Sequence, residues 1–184
     1  MRKIFLASLL CAPFLTADGV TDYLNGQIKS AEGDVVSLME AMPADKYNFA
    51  PTQGTFQGVR TFGTQAKHIA TVIYQVSAAS LKEKPPVDIG TGDNGPDALR
   101  TKEQILAYVK GAFTYAHKAA GAVNAQNQLE KVPAPFGGMM TRVELAAMPA
   151  SHSFDHYGQM VVYARINGIV PPASLPPPPA AKKK

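Results

Sequence analysis

In four separate stretches of this chain, apolar residues recur at three- and four-residue steps, and polar segments rich in Gly and Pro lie between them. That step is the period of one helix face, because side chains three and four apart lie above one another. Leu24, Ile28, Ala31, Val35, Leu38 and Met42 predict a helix over 20–42, weakened by Gly26 and Gly33 and ended by Pro43. Phe62, Ala66, Ile69, Ile73 and Val76 predict a second over 61–80. The third is expected over 101–127 on Ile105, Tyr108, Val109, Ala112, Ala116, Ala119 and Val123. Thr101 with Gln104 three residues on gives it a capping-box start. A fourth is expected over 140–167, with Gly168 as its stop and Pro149 inside it. A proline at that position removes a backbone hydrogen bond and is expected to kink or divide the helix.

No alternating strand pattern of useful length is present, so the fold expected is all-α, a four-helix bundle with long interhelical connections. At 184 residues and 46% hydrophobic content the chain supports one domain with one core. Trp is absent, which leaves the core to aliphatic residues, Met, Phe and Tyr.

The ends differ from the body. MRKIFLASLLCAPFLTA carries two basic residues, an apolar run too short to span a membrane, and small residues before Asp18. This is the layout of a secretory signal peptide over 1–17, which predicts an exported protein, periplasmic or secreted, without a stable membrane anchor. Cys11, the one cysteine, lies inside it, so the mature chain would hold no disulfide and no thiol of its own. Residues 175–184, ending LPPPPAAKKK, lack periodicity and are expected to form an extended solvated tail beyond a domain over 18–174.

The net charge of +4 comes from these ends. Taking Arg2, Lys3 and Lys182 to Lys184 from 18 Lys and Arg leaves 13 against 14 Asp and Glu, so the body carries about −1. A nucleic-acid partner needs positive charge on the folded surface, and none is expected here.

The stretch HSFDHYGQ places His152 and His156 four apart, on one helix face. The spacing is that of the histidines in HExxH zinc sites, but Asp155 does not stand where the catalytic Glu of that motif stands, which excludes that family. A functional metal usually has three protein ligands and one open position. His68, at the core edge of the second helix, is the better third candidate; His117, beside Lys118, sits on a polar face.

Three further stretches carry a resemblance. MPADKYNFAPTQG, TFGTQAKHIA and SFDHYGQMVVYARINGIVPPAS together resemble the DinB/YfiT-like four-helix bundles, over roughly residues 20 to 174. The resemblance implies a divalent metal on three histidines, one on the second helix and two four apart on the last, and the matching positions are His68, His152 and His156. Zinc, nickel, iron or manganese suits such a ligand set. Gln65, Asp155, Gln159 and Tyr163 are the residues expected around it, with Gln65 either hydrogen-bonding near the site or facing solvent, Asp155 facing solvent and Tyr163 a core aromatic near a polar pocket. The family implies a site and not a reaction. Some relatives are thiol-dependent transferases or isomerases; metal-assisted hydrolysis and plain binding of a small ligand are the other readings, and homodimers occur among family members.

Overall fold

The computed structural model describes residues 18–176, so the expected signal peptide, Cys11 and most of the expected tail lie outside the described residues. Four helices form the frame: α1 (Asp18–Ala41), α2 (Phe62–Leu81), α3 (Lys102–Gly121) and α4 (Arg142–Ile166). Short 3₁₀ turns at Ala44–Lys46 and Pro172–Ser174 accompany them. Every residue of the predicted apolar stripes on the first three helices is buried, in a core whose largest fully buried side chains are Phe62 and Phe113. No described helix is long and apolar enough to cross a membrane.

Helix α2 packs against α3 and α4, and α1 packs against the same two, so α1 and α2 stand diagonally opposite. Successive helices α1 and α2 are therefore not neighbours, and the chain must cross the bundle between them through residues 42–61. Residues 82–101 and 122–141 form connections of the same length. The first is tied down by Tyr47, whose hydroxyl donates to Met39 O at 2.8 Å and whose ring meets Phe62 edge-on at 5.3 Å.

The helix ends follow local chemistry. Thr61, Thr101 and Thr141 each cap a helix, and both Thr101–Gln104 and Thr141–Glu144 form complete capping boxes. At the end of α4, Gly168 N–H donates to Arg165 O and Ile169 N–H to Ala164 O, a Schellman stop made possible by φ 76° at Gly168.

Three expectations need correction. Helix α3 ends at Gly121, not Asn127. Asn127 donates from its side chain to Ala122 O and accepts from Asn124 N–H, so local side-chain bonds replace another helical turn. Pro149 does not divide α4, which runs unbroken past it. The Ser153 hydroxyl donates to Pro149 O at 2.6 Å, and the buried proline ring packs into the bundle. Finally, a hairpin stands where only a loop was expected: β1 (Lys131–Pro133) pairs antiparallel with β2 (Met139–Thr141), with Val132 opposite Met140. Gly137 and Gly138, both at positive φ, turn the chain between the strands. Val132 packs with Val72, Val76 and Leu145 in a small second core, which fastens the hairpin to α2 and α4.

Candidate metal centre

Two neighbouring helices bring three histidines together. Helix α2 supplies His68, and α4 supplies His152 and His156 one turn apart. The ring centroids of His68 lie 5.0 Å from His152 and 4.6 Å from His156, and those of His152 and His156 are 4.5 Å apart. One nitrogen from each ring lies within 4.8 Å of the others. His68 and His156 are each 6% exposed.

The tautomer of His68 follows from its partner. Its Nδ1 sits 2.6 Å from the carbonyl oxygen of Asp93, which can only accept, so Nδ1 carries the proton and Nε2 keeps a lone pair. Such a carbonyl–imidazole bond is the usual outer support of a metal-ligating histidine. The segment DIGTGDNG delivers that carbonyl. A Cβ on Gly90, which has φ +73°, would lie 2.8 Å from the Gly95 backbone, so the loop closes on itself only with glycine there. Arg60 holds the loop from outside, donating to Asp93 Oδ2 at 2.8 Å and to Asn94 Oδ1 at 2.7 Å.

All three imidazoles are held neutral. Burial pushes His152 down to about 4, reinforced by His156 and His68, and pushes His156 down to about 4, reinforced by His68. Burial also lowers His68, against the opposing pull of the Asp93 carbonyl. Two buried ring nitrogens, His152 Nε2 and His156 Nδ1, have no hydrogen-bond partner among the described residues. Leaving a buried polar atom unpaired costs roughly 1–3 kcal/mol, so neutral rings with unpaired nitrogens, converging on one point, suit a divalent cation.

This arrangement sets an acid response for chelator-treated protein. The folded rings of His152 and His156 stay neutral down to about pH 4, whereas unfolded histidines take up protons below about 6.5. In that window the unfolded chain binds more protons, so stability falls as pH drops, by at most about 3 kcal/mol for each of His152 and His156. Denaturant midpoints are expected to fall steadily from pH 7 to pH 5, before carboxylates titrate, and the slope is expected to flatten in His152→Gln. A midpoint constant over that range contradicts the burial of neutral rings.

The other expected residues separate into two groups. Gln65 is buried and donates from Nε2 to Gln159 Oε1 at 2.7 Å, so these two bond each other across α2 and α4, one turn from the histidines. Tyr163 is a core aromatic whose hydroxyl donates to Arg60 O at 3.2 Å. Asp155 is exposed, and its carboxylate acts on the rings only through its charge. His117 lies away from the cluster and contacts Asn25 Oδ1 at 2.7 Å. Asp93 and Arg60 were not anticipated; the support they give runs partly through a backbone carbonyl, and the Gly-rich loop is the one sequence hint of it.

Beside His68 and His152 opens a cavity of about 570 Å³, walled by Val72, Ile89, Phe136 and Met148. His68 and His152 line it, so whatever they bind is reachable from it.

A family model described as the DinB superfamily matches residues 27–160. A DinB-like protein from Bacillus cereus superposes with a TM-score of 0.63 at 17% identity, covering 86% of this chain and 97% of that one. A DinB-like protein from Bacillus subtilis superposes with a TM-score of 0.59 at 17% identity, covering 84% of this chain and 95% of that one. At such identity these likenesses speak to the fold alone. A search of curated proteins finds no match.

Proposed function

Since the chain belongs to the DinB superfamily, by a match over residues 27–160, we propose that it is an exported metalloprotein that holds one divalent ion on His68, His152 and His156 and offers that ion to a small molecule in the adjoining cavity. The observation that carries this reading is the convergence of three neutral imidazoles, His68 and His156 buried and His152 half-buried, two with unpaired buried nitrogens, beside an open cavity that His68 and His152 line. A structural site would be closed; a site that binds or transforms a ligand keeps a position free. The signal-like sequence of residues 1–17 supports export.

A divalent ion on three nitrogens supplies Lewis acidity, which polarises an electrophile or acidifies a thiol or water that reaches it. The chain's own residues do the rest. The Asp93 carbonyl fixes the tautomer and orientation of His68, and Arg60 fixes Asp93. Val72 and Met148 wall the cavity with apolar surface that limits water.

As an enzyme, the protein would be a metal-dependent transferase using a thiol supplied from outside, with a hydrolase as the second possibility. One observation favours the thiol. Asp93 is the one carboxylate lining the cavity among the described residues, and Arg60 holds it at 2.8 Å, so no free carboxylate is at hand to deprotonate water. The test offers metal-loaded protein a small thiol with 1-chloro-2,4-dinitrobenzene, and separately 4-nitrophenyl acetate. Thiol conjugation that disappears on chelation and in His156→Ala, with ester hydrolysis no faster than free metal gives, is the expected result. Neither reaction above the free-metal rate returns the protein to the class of metal-dependent binders.

The exposed Phe154, Val162 and Ile166 follow one another at multiples of four along α4 and support pairing with a second copy, which sedimentation would read as twice the chain mass.

A further inference from the structure

The walls of the cavity carry information about its ligand. Its volume, about 570 Å³, falls within the range of small-molecule sites, roughly 300–1,000 Å³. The surface away from the histidines is mostly apolar, with Val72, Ile89, Pro135, Phe136 and Met148, and Gln75 is its one neutral polar side chain. Asp93 is the one charged residue lining it among the described residues, and its carboxylate is committed to Arg60. Among the described residues no Lys or Arg lines it. A carboxylate or ammonium on the far end of a ligand would lose hydration there and gain no counter-charge.

Phe136 is the residue that makes this wall specific. It is 56% exposed, a large aromatic ring left in water at the tip of the hairpin and at the rim of the cavity. The tip is shaped by Gly137 and Gly138, at φ 95° and 75°. Its base is anchored through Val132 against Val72, which itself lines the cavity one turn beyond His68 on α2. The position of the ring is thereby tied to the helix that carries the metal-facing histidine. An apolar ligand group seated between Met148 and Phe136 would cover the exposed ring.

We propose that the cavity takes a small molecule with a single metal-ligating head and a neutral aromatic or aliphatic tail, and that Phe136 selects the tail. This rests on the three-histidine metal reading above.

The test uses the zinc-loaded full chain and three probes with one common head: acetohydroxamate, benzohydroxamate and 4-carboxybenzohydroxamate. Calorimetric affinities are corrected for each probe's affinity for free zinc, and zinc content is measured on the same samples. Benzohydroxamate is expected to bind at least about tenfold tighter than acetohydroxamate, from burial of its ring. The 4-carboxylate is expected to lose most of that gain. Phe136→Ala, at an exposed hairpin tip that leaves the bundle intact, is expected to cut the benzohydroxamate-to-acetohydroxamate ratio roughly two- to tenfold, the contribution of one aromatic contact, with zinc content unchanged. Zinc present with equal affinities for all three probes, or a ratio unmoved by Phe136→Ala, overturns the inference and leaves the metal centre standing. Zinc absent from the protein overturns the metal centre itself and this inference with it.

Discussion

His68→Ala is expected to lower divalent-metal affinity by at least about 1,000-fold while the bundle stays folded. Loss of a supporting partner outside the ligands typically costs 10–100-fold, and loss of a ligand costs more. His68 is the single contribution of α2 to the cluster; without it, two histidines one turn apart on α4 remain, too few for a functional site. The substitution removes a buried, desolvated ring that is held neutral, so it takes away one contribution to the acid loss of the apoprotein, while His152 and His156 keep theirs. Circular dichroism would establish that the helices persist, and competition against a chelator would give the affinity. His117→Ala, which removes a ring hydrogen-bonded to Asn25 far from the cluster, should leave affinity unchanged. An affinity for His68→Ala within about threefold of the parent contradicts the assignment of this residue as a ligand.

The second large effect is on stability. Phe62→Ala should cost about 3–5 kcal/mol, the usual price of removing a fully buried aromatic side chain. Phe62 is wholly buried at the first turn of α2 and meets the Tyr47 ring edge-on. The backbone around it is shared with the crossing segment: Phe62 N–H donates to Phe49 O and Gly63 N–H donates to Tyr47 O. The cavity left by the ring would therefore loosen the connection that lets α1 and α2 stand diagonally, as well as the core beneath. His68 lies nearly two turns further along the helix, so the folded fraction should retain its metal stoichiometry. A loss below about 1 kcal/mol in chemical denaturation would mean that Tyr47 and Phe62 are not the clamp described.

These residues also explain what the sequence made legible. The burial of a stripe such as Leu24, Ile28, Ala31 and Val35 follows from helical period alone, because a helix has one face to bury. Which helices face each other does not follow, since a periodic stripe fits any apolar neighbour. The diagonal placement of α1 and α2 is set by the crossing segment and its aromatic anchors. His152 and His156 could be placed side by side from spacing and His68 nominated as third from its core-edge place on the second helix, but their meeting is a tertiary fact that the family resemblance, not the period, made specific. The Asp93 carbonyl was invisible, because every residue has one and only loop geometry aims it at a ring. The hairpin escaped notice for a similar reason. Each strand has three residues, β1 buries only Val132, and one buried residue makes no alternation. Pro149 misled in the other direction: its missing N–H is tolerated inside a packed helix whose other contacts hold it in line.

The measurement that bears most directly on this account is the metal content of untagged, chelator-free mature protein, read together with X-ray absorption at the edge of whatever metal is present. About one divalent ion per chain is expected, with three imidazole nitrogens in its shell, at about 2.0–2.1 Å if the ion is zinc. A protein that holds no metal after zinc, nickel, iron and manganese have each been offered, or a metal shell without imidazole, would contradict it.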